Sequence, residues 1–154
     1  MNKLSSTGGR LDSQKKTSKS LADTKMDIKT KLAALWASMM FCYVYGDLLS
    51  LYKPGVIEDI MAEALPIGSP ESLVAAAIMM VIPIMMIFLS VALPAKTNRP
   101  ANILVAIGYT GVNLAAFTEP DAYYVFFGAV EVLITLLIIW HAWKWPGETA
   151  VASG

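Results

Sequence analysis

The chain has 154 residues, and its twelve basic and twelve acidic side chains give a formal net charge of zero. It is 56% hydrophobic and only 16% charged, whereas a soluble domain carries about 25% charged residues. Eight of the twelve Lys and Arg residues lie before residue 32, so the rest of the chain has long stretches almost without charge. This composition excludes an ordinary soluble domain and indicates a multi-pass membrane protein.

The chain begins with a polar tail, residues 1–28, whose first twenty residues are rich in Ser, Thr, Gly and Lys. Such a segment buries nothing, so we expect it to be disordered. Its basic charge favours attraction to an anionic cytoplasmic leaflet. The tail also holds acidic residues and has no aromatic residue to stack on bases, so binding of nucleic acid is not expected. Thr24 and Asp27 are candidate caps for the first helix.

Four apolar segments follow, at about residues 31–53, 72–94, 101–118 and 123–145. A helix needs about 20 residues to cross the hydrocarbon of a bilayer. Only helices and closed barrels satisfy their backbone there, and these segments lack the alternation of strands. The sequence therefore predicts an all-α, four-transmembrane-helix bundle at 29–146.

The prolines agree with these boundaries. Most of them fall at or between segment ends, whereas Pro83 lies inside the second segment and should kink it. Ser69 or Ser72, with Pro70, should cap that helix. The segment 56–65, VIEDIMAEAL, is interpreted as a short helix on the outer surface or as a plain loop.

Charge predicts the orientation, because cytoplasmic loops are enriched in Lys and Arg. The N-terminal tail, the loop 95–100 (AKTNRP) and Lys144 are basic, whereas the loops 54–71 and 119–122 are acidic. Both termini, including a short tail at 147–154, should therefore be cytoplasmic, in a protein of the cytoplasmic (inner) membrane.

Three polar residues of the apolar segments should lie at one depth. At 1.5 Å per residue, Glu131 is about 12 Å, Asp47 about 9 Å and Asn113 about 8 Å below the outer boundary. A carboxylate in the bilayer costs roughly 2.5–3.5 kcal/mol, so it should face the bundle interior. The predicted intramembrane polar cluster contains these three residues and three polar neighbours. Those neighbours are Tyr45, Tyr109 and Thr135.

Two interpretations of this cluster remain open. In the functional one, Asp47 and Glu131 bind a proton, a cation or a small polar ligand in a cavity that opens to the outside. In the structural one, their carboxyl groups hydrogen-bond to Asn113, Tyr45 or Tyr109 and fix the helix packing.

The residues that usually hold a cofactor or metal are scarce. The chain has one Cys, Cys42, and one His, His141, so neither a metal site nor a haem bound by two histidines of one chain is expected. No phosphate-binding loop or nucleophile motif is present in the sequence. We therefore expect no cofactor and lean against an enzyme.

Three stretches resemble a family of small four-helix bacterial and archaeal membrane proteins known as DUF6326, a family of unknown function. They are KLAALWASMMFCYVYGDLLSLYKPG, IPIMMIFLSVALPAKTNRPANI and YYVFFGAVEVLITLLIIWHAWKWP. The matching residues are Asp47, Pro83, Asn98, Arg99, Ala101, Asn102, Glu131, Trp143 and Lys144. The family often has an acidic residue directly before the Ile-Pro pair, where this chain has Val81. The resemblance implies a membrane location and a fold, and implies no activity.

The sequence favours a non-enzymatic carrier for a small solute or proton, or an accessory subunit. Because four helices enclose little volume, we expect a homo-oligomer or another membrane protein as partner, besides the lipid bilayer. The alternatives are a subunit of a membrane redox or lipid-modifying enzyme and a purely structural membrane partner.

Overall fold

The computed structural model describes residues 26–62, 64, 69–118 and 121–146. These residues form five helices and, within the described ranges, no strand, so the predicted all-α class is confirmed. The helices are α1 (Ile28–Ser50), α2 (Val56–Met61), α3 (Pro70–Ala92), α4 (Ala95–Leu114) and α5 (Ala122–Trp143). A 3-10 turn, Ala115–Thr118, continues α4. Most of the N-terminal tail, with Thr24, and the tail 147–154 lie outside the described residues.

The first two long helices begin at side-chain caps. Asp27 accepts a hydrogen bond from the backbone N–H of Lys29 at 3.2 Å and starts α1. Ser69 accepts one from the N–H of Ser72 at 3.2 Å, and Pro70 occupies the first turn of α3. Each of these oxygens satisfies an N–H that the helix itself leaves without a partner. Of the two candidate serines, Ser69 is therefore the cap.

The prediction was wrong at the start of α4. The stretch 95–100, predicted to be a loop, is the beginning of this helix, and Pro100 lies inside it. The N–H that Pro100 lacks would have bonded the carbonyl of Lys96, which belongs to an exposed residue that water can reach. Hydropathy alone had placed the start at residue 101, because the first turns of α4 are polar.

The long helices run antiparallel, so the bundle has two ends of different charge. Lys29 donates to the carbonyl of Leu93 at 2.7 Å, and Arg99 donates to the carbonyl of Trp143 at 3.0 Å. These contacts bring the start of α1, the α3–α4 joint and the end of α5 together, at what we call the basic end. At the other end, the acidic end, Lys53 after α1 pairs with Asp121 before α5.

The hydrophobic core lies mainly in the half of the bundle toward the basic end. Helices α3 and α5 pack on α1, and α4 packs on α5. Trp36 is fully buried and meets the ring of Tyr109 edge to face, with centroids 6.1 Å apart. The buried apolar residues of this core are Leu32, Trp36, Met39, Met86, Ala106, Tyr109, Ile134, Ile138 and Ala142.

Three of the helices, α1, α3 and α5, are long and apolar enough to cross a membrane. Many large apolar side chains on their outer faces are exposed, as expected for surfaces that meet lipid. Within the described part of the chain, α4, the third predicted span, is not among the helices that are both long and apolar enough to cross a membrane.

Candidate functional site

A cavity of about 290 Å³ lies between the long helices in the half of the bundle toward the acidic end. It is partly open, because Asp47 on its wall is an exposed residue. Its lining residues come from α1, α3, α4 and its 3-10 turn, and α5. They are Cys42, Tyr43, Gly46, Asp47, Met79, Met80, Val112, Asn113, Ala115, Thr118, Tyr124, Phe127, Gly128 and Glu131. We call this space the acidic-half cavity.

Two carboxyl groups face this cavity from neighbouring helices. Glu131 on α5 is 6% exposed, whereas Asp47 on α1 lies at the rim. Both residues line the same cavity. Neither carboxyl group hydrogen-bonds to any residue that the structure describes. The oxygens of Glu131 are not among the fully buried atoms without a partner, so they face the cavity, where water or a proton can satisfy them.

Asn113 joins α4 to α1 across the cavity and leaves one polar atom unpaired. The hydroxyl of Tyr43 donates to the carbonyl oxygen of the Asn113 side chain. This bond directs the amide nitrogen, Nδ2, away from Tyr43. Asn113 is 2% exposed, and its Nδ2 has no hydrogen-bond partner among the described residues. The nitrogen itself is fully buried, so the surrounding protein separates it from the cavity and it remains an unsatisfied donor.

The three residues predicted to share one depth, Asp47, Asn113 and Glu131, all line the acidic-half cavity. The other three members of the predicted cluster lie elsewhere. Tyr45 is 53% exposed on the outer face of α1. Thr135 is fully buried and accepts a hydrogen bond from Thr110 at 2.9 Å, which ties α4 to α5 outside the cavity.

Tyr109, the remaining member of the predicted cluster, donates a hydrogen bond to a backbone carbonyl that Pro83 leaves without its helical partner. Proline has no N–H, so Pro83 leaves the carbonyl of Met79, four residues earlier, without its helical hydrogen bond. The hydroxyl of Tyr109 donates to that carbonyl. Pro83 is therefore accommodated inside α3, and a side chain of α4 satisfies the group it frees.

The hydrogen bonds that the structural interpretation required are not formed among the described residues. Asn113 bonds to Tyr43, Tyr109 bonds to the backbone at Met79, and Tyr45 faces outward. The carboxyl groups of Asp47 and Glu131 therefore face the cavity and form no hydrogen bond with any of these three side chains. Tyr43 was missing from the predicted cluster, although its position four residues before Asp47 places both on one face of α1.

A second polar network, which sequence reasoning did not predict, closes the half toward the basic end. The side-chain oxygen of Asn102 accepts from Trp36 Nε1 at 2.7 Å and from the Ser90 hydroxyl at 3.1 Å. Asn102 Nδ2 donates to Asn98 Oδ1 at 2.6 Å, and Asn98 Nδ2 donates to the carbonyl of Ser90 at 2.6 Å. All four side chains are fully buried. This Trp36–Asn102 network is saturated, in contrast to the cavity.

The fold and the site together define a class: a small helical bundle with helices of membrane-spanning length and, in one half, a cavity that carries two carboxyl groups on a largely apolar wall. The family comparison is more specific. The model of DUF6326, a family of unknown function, matches residues 21–152, and the chain belongs to that family. Searches of curated proteins and of solved structures each gave no match.

Proposed function

We propose that this protein is a four-span protein of the cytoplasmic membrane and a proton carrier whose intramembrane carboxylate site is Glu131 with Asp47. The fourth span is α4, whose 20 residues cover about 30 Å at 1.5 Å per residue. Its lower hydropathy comes partly from three asparagines, Asn98, Asn102 and Asn113, which are buried in the bundle. Polar side chains that face a bundle interior are compatible with a membrane-spanning helix.

The proposed orientation has both termini in the cytoplasm. The basic end carries Lys29, Lys31, Lys96, Arg99 and Lys144 among the described residues. At the acidic end the described base, Lys53, is paired with Asp121. The enrichment of Lys and Arg on the cytoplasmic side supports a basic end that faces inward and a cavity that opens outward.

A single observation carries the proposed activity. Glu131 is 6% exposed, hydrogen-bonds to no described residue and faces a cavity that opens at the exposed residue Asp47. A group that takes up and releases a proton needs both shelter from lipid and a path to water, and this position provides both. A purely structural carboxyl group would instead be held by donors from neighbouring helices.

Proton flux into proteoliposomes tests this function. The pure full chain is reconstituted, a potassium diffusion potential set with valinomycin draws protons inward, and an internal dye reports the pH. We expect flux above that of empty liposomes for the wild type, and flux close to that background for Glu131→Gln. Glu71→Gln is the matched control, because Glu71 is an exposed carboxylate in the first turn of α3, outside the cavity.

The controls make the result decisive. Circular dichroism establishes that each variant is folded before its flux is measured. Wild-type flux equal to that of empty liposomes, or equal flux in wild type and Glu131→Gln, would overturn the proposed activity. Loss of flux in Glu71→Gln as well would show that the effect does not arise at the cavity.

A further inference from the structure

A groove separates α3 from α4 on the outer surface of the bundle. These two helices make few contacts with each other, whereas α3 packs on α1 and α4 packs on α5. The groove has a volume of about 460 Å³. Its lining residues are Ala75, Ile78, Met79, Ile82, Val105, Gly108, Tyr109 and Val112, and we call it the apolar groove. The wall of the bundle is therefore incomplete between these two helices.

The walls of the apolar groove give a polar ligand nothing to bond. Among its described lining residues none carries a charge, and Tyr109 supplies the one hydroxyl group. That hydroxyl is already used, because it donates to the backbone carbonyl of Met79. The other walls are aliphatic side chains, a thioether and the bare backbone of Gly108. The chemistry of the groove therefore selects hydrocarbon.

The depth of the apolar groove limits which hydrocarbon can reach it. Ala75 and Ile82 lie about 8 Å and about 18 Å along α3 from its start at Pro70, at 1.5 Å per residue. Within a hydrocarbon layer about 30 Å thick, this level is far from the headgroups on either side. A bilayer offers two apolar structures at that depth, which are the acyl chains of its lipids and the helices of its proteins.

Size decides between an acyl chain and a helix. The lining residues cover about 10 Å of axis on α3 and on α4. Over that length a helix about 10 Å across occupies roughly 800 Å³, far more than the 460 Å³ of the groove. A methylene group is about as large as a water molecule, which takes about 30 Å³, so roughly fifteen of them fit. The groove therefore matches one acyl chain and is too small to enclose a helix.

We propose that the apolar groove binds one acyl chain of a bilayer phospholipid, which completes the wall of the bundle between α3 and α4. The chain lies along the helix axes, between Ile78 and Ile82 of α3 and Val105 of α4. Met79 and Val112 line both the groove and the acidic-half cavity. The bound chain therefore covers the cavity wall on its lipid side. This inference rests on the proposed membrane location of α4 and is independent of proton carriage.

Native mass spectrometry of the full chain released from detergent micelles tests the site. The probes are phosphatidylcholine and phosphatidylglycerol with chains of sixteen carbons. We expect one bound lipid per chain and affinities for the two lipids within about threefold, because the groove reads no headgroup charge. Gly108→Leu should weaken binding at least about tenfold, since its side chain enters the groove. Gly111→Leu is the matched control and should bind like the wild type. An added Cβ meets no atom within 4 Å at either glycine, but Gly111 does not line the groove.

Each outcome decides the inference. No bound lipid, or equal binding by the wild type and Gly108→Leu, overturns the site. Binding confined to phosphatidylglycerol overturns the ligand class and points to the basic end. A lipid-free wild-type dimer that Gly108→Leu converts to monomers assigns the groove to a second copy of the chain.

A second measurement keeps the test decisive if Gly108→Leu fails to fold. Phosphatidylcholine with chains of six carbons should bind the wild type at least about tenfold more weakly than the longer lipid, because each lost methylene removes buried apolar area. Equal binding of the two chain lengths overturns the proposal. No proton gradient is present in these experiments, so their failure leaves the flux result untouched, and absence of flux leaves the lipid site untouched.

Discussion

Replacing Tyr109 by Phe removes one hydroxyl group and leaves the ring that meets Trp36 edge to face. That hydroxyl is the donor to the carbonyl of Met79, the group that Pro83 leaves without a helical partner. Since Tyr109 is 6% exposed, water cannot readily take the place of the lost donor. The variant should therefore lose about 1–2 kcal/mol of unfolding free energy. For a domain of this size that loss corresponds to a thermal midpoint lower by about 3–10 °C.

Reversible unfolding by sodium dodecyl sulfate in mixed micelles measures this change, and a double-mutant cycle with Pro83→Ala isolates its cause. An alanine at position 83 returns an N–H to the Met79 carbonyl, so Tyr109→Phe should cost less than half as much in that background. Tyr45→Phe is the matched control, because Tyr45 is 53% exposed, and it should change stability by less than about 0.5 kcal/mol. Equal costs of Tyr109→Phe with and without Pro83 would refute the reasoning.

Two further predictions concern the other half of the bundle and its orientation. Asn102→Leu removes the acceptor of Trp36 and Ser90 together with a donor to Asn98, so it should lower the unfolding free energy by about 2–4 kcal/mol in the same micelle assay. A loss below about 1 kcal/mol would contradict a saturated network. In a Cys42→Ala background, a membrane-impermeant maleimide applied to intact cells should label Glu58→Cys and leave Thr97→Cys unlabelled. Labelling of Thr97→Cys alone would place the basic end outside.

Hydropathy and helix length were sufficient to predict α1, α3 and α5, because these helices are apolar on nearly every face. They were insufficient for α4, because its first six residues are polar and mostly exposed, although Asn98 among them is buried. Asn98 and Asn102 are fully buried, and their partners come from α1 and α3. A hydropathy scale scores buried and exposed polar residues alike, so the first six residues of α4 were interpreted as a loop.

Three members of the predicted polar cluster lie together in the structure, and three do not. The rise of a helix is constant, so counting residues placed Asp47, Asn113 and Glu131 at one level, and all three line the same cavity. Depth does not specify which way a side chain turns. Tyr45, two residues before Asp47, lies on the opposite side of α1, whereas Tyr43, four residues before it, shares its face. The pairing of Tyr109 with the backbone at Met79 depends on how α3 and α4 pack, which no single segment reveals.

The Trp36–Asn102 network fills the bundle interior toward the basic end, so the cavity does not continue through the bundle. The cavity occupies one half, and the saturated network with the packed core forms a floor beneath it. Hydrogen bonds connect α3 to α4 close to the turn between them: Ser90 of α3 bonds to Asn98 and Asn102 of α4. Among the side-chain bonds of this network, the one to α1 runs from Trp36 to Asn102. A path from the cavity toward the basic end would therefore have to break these buried hydrogen bonds, in addition to the bond from Lys29 to the end of α3.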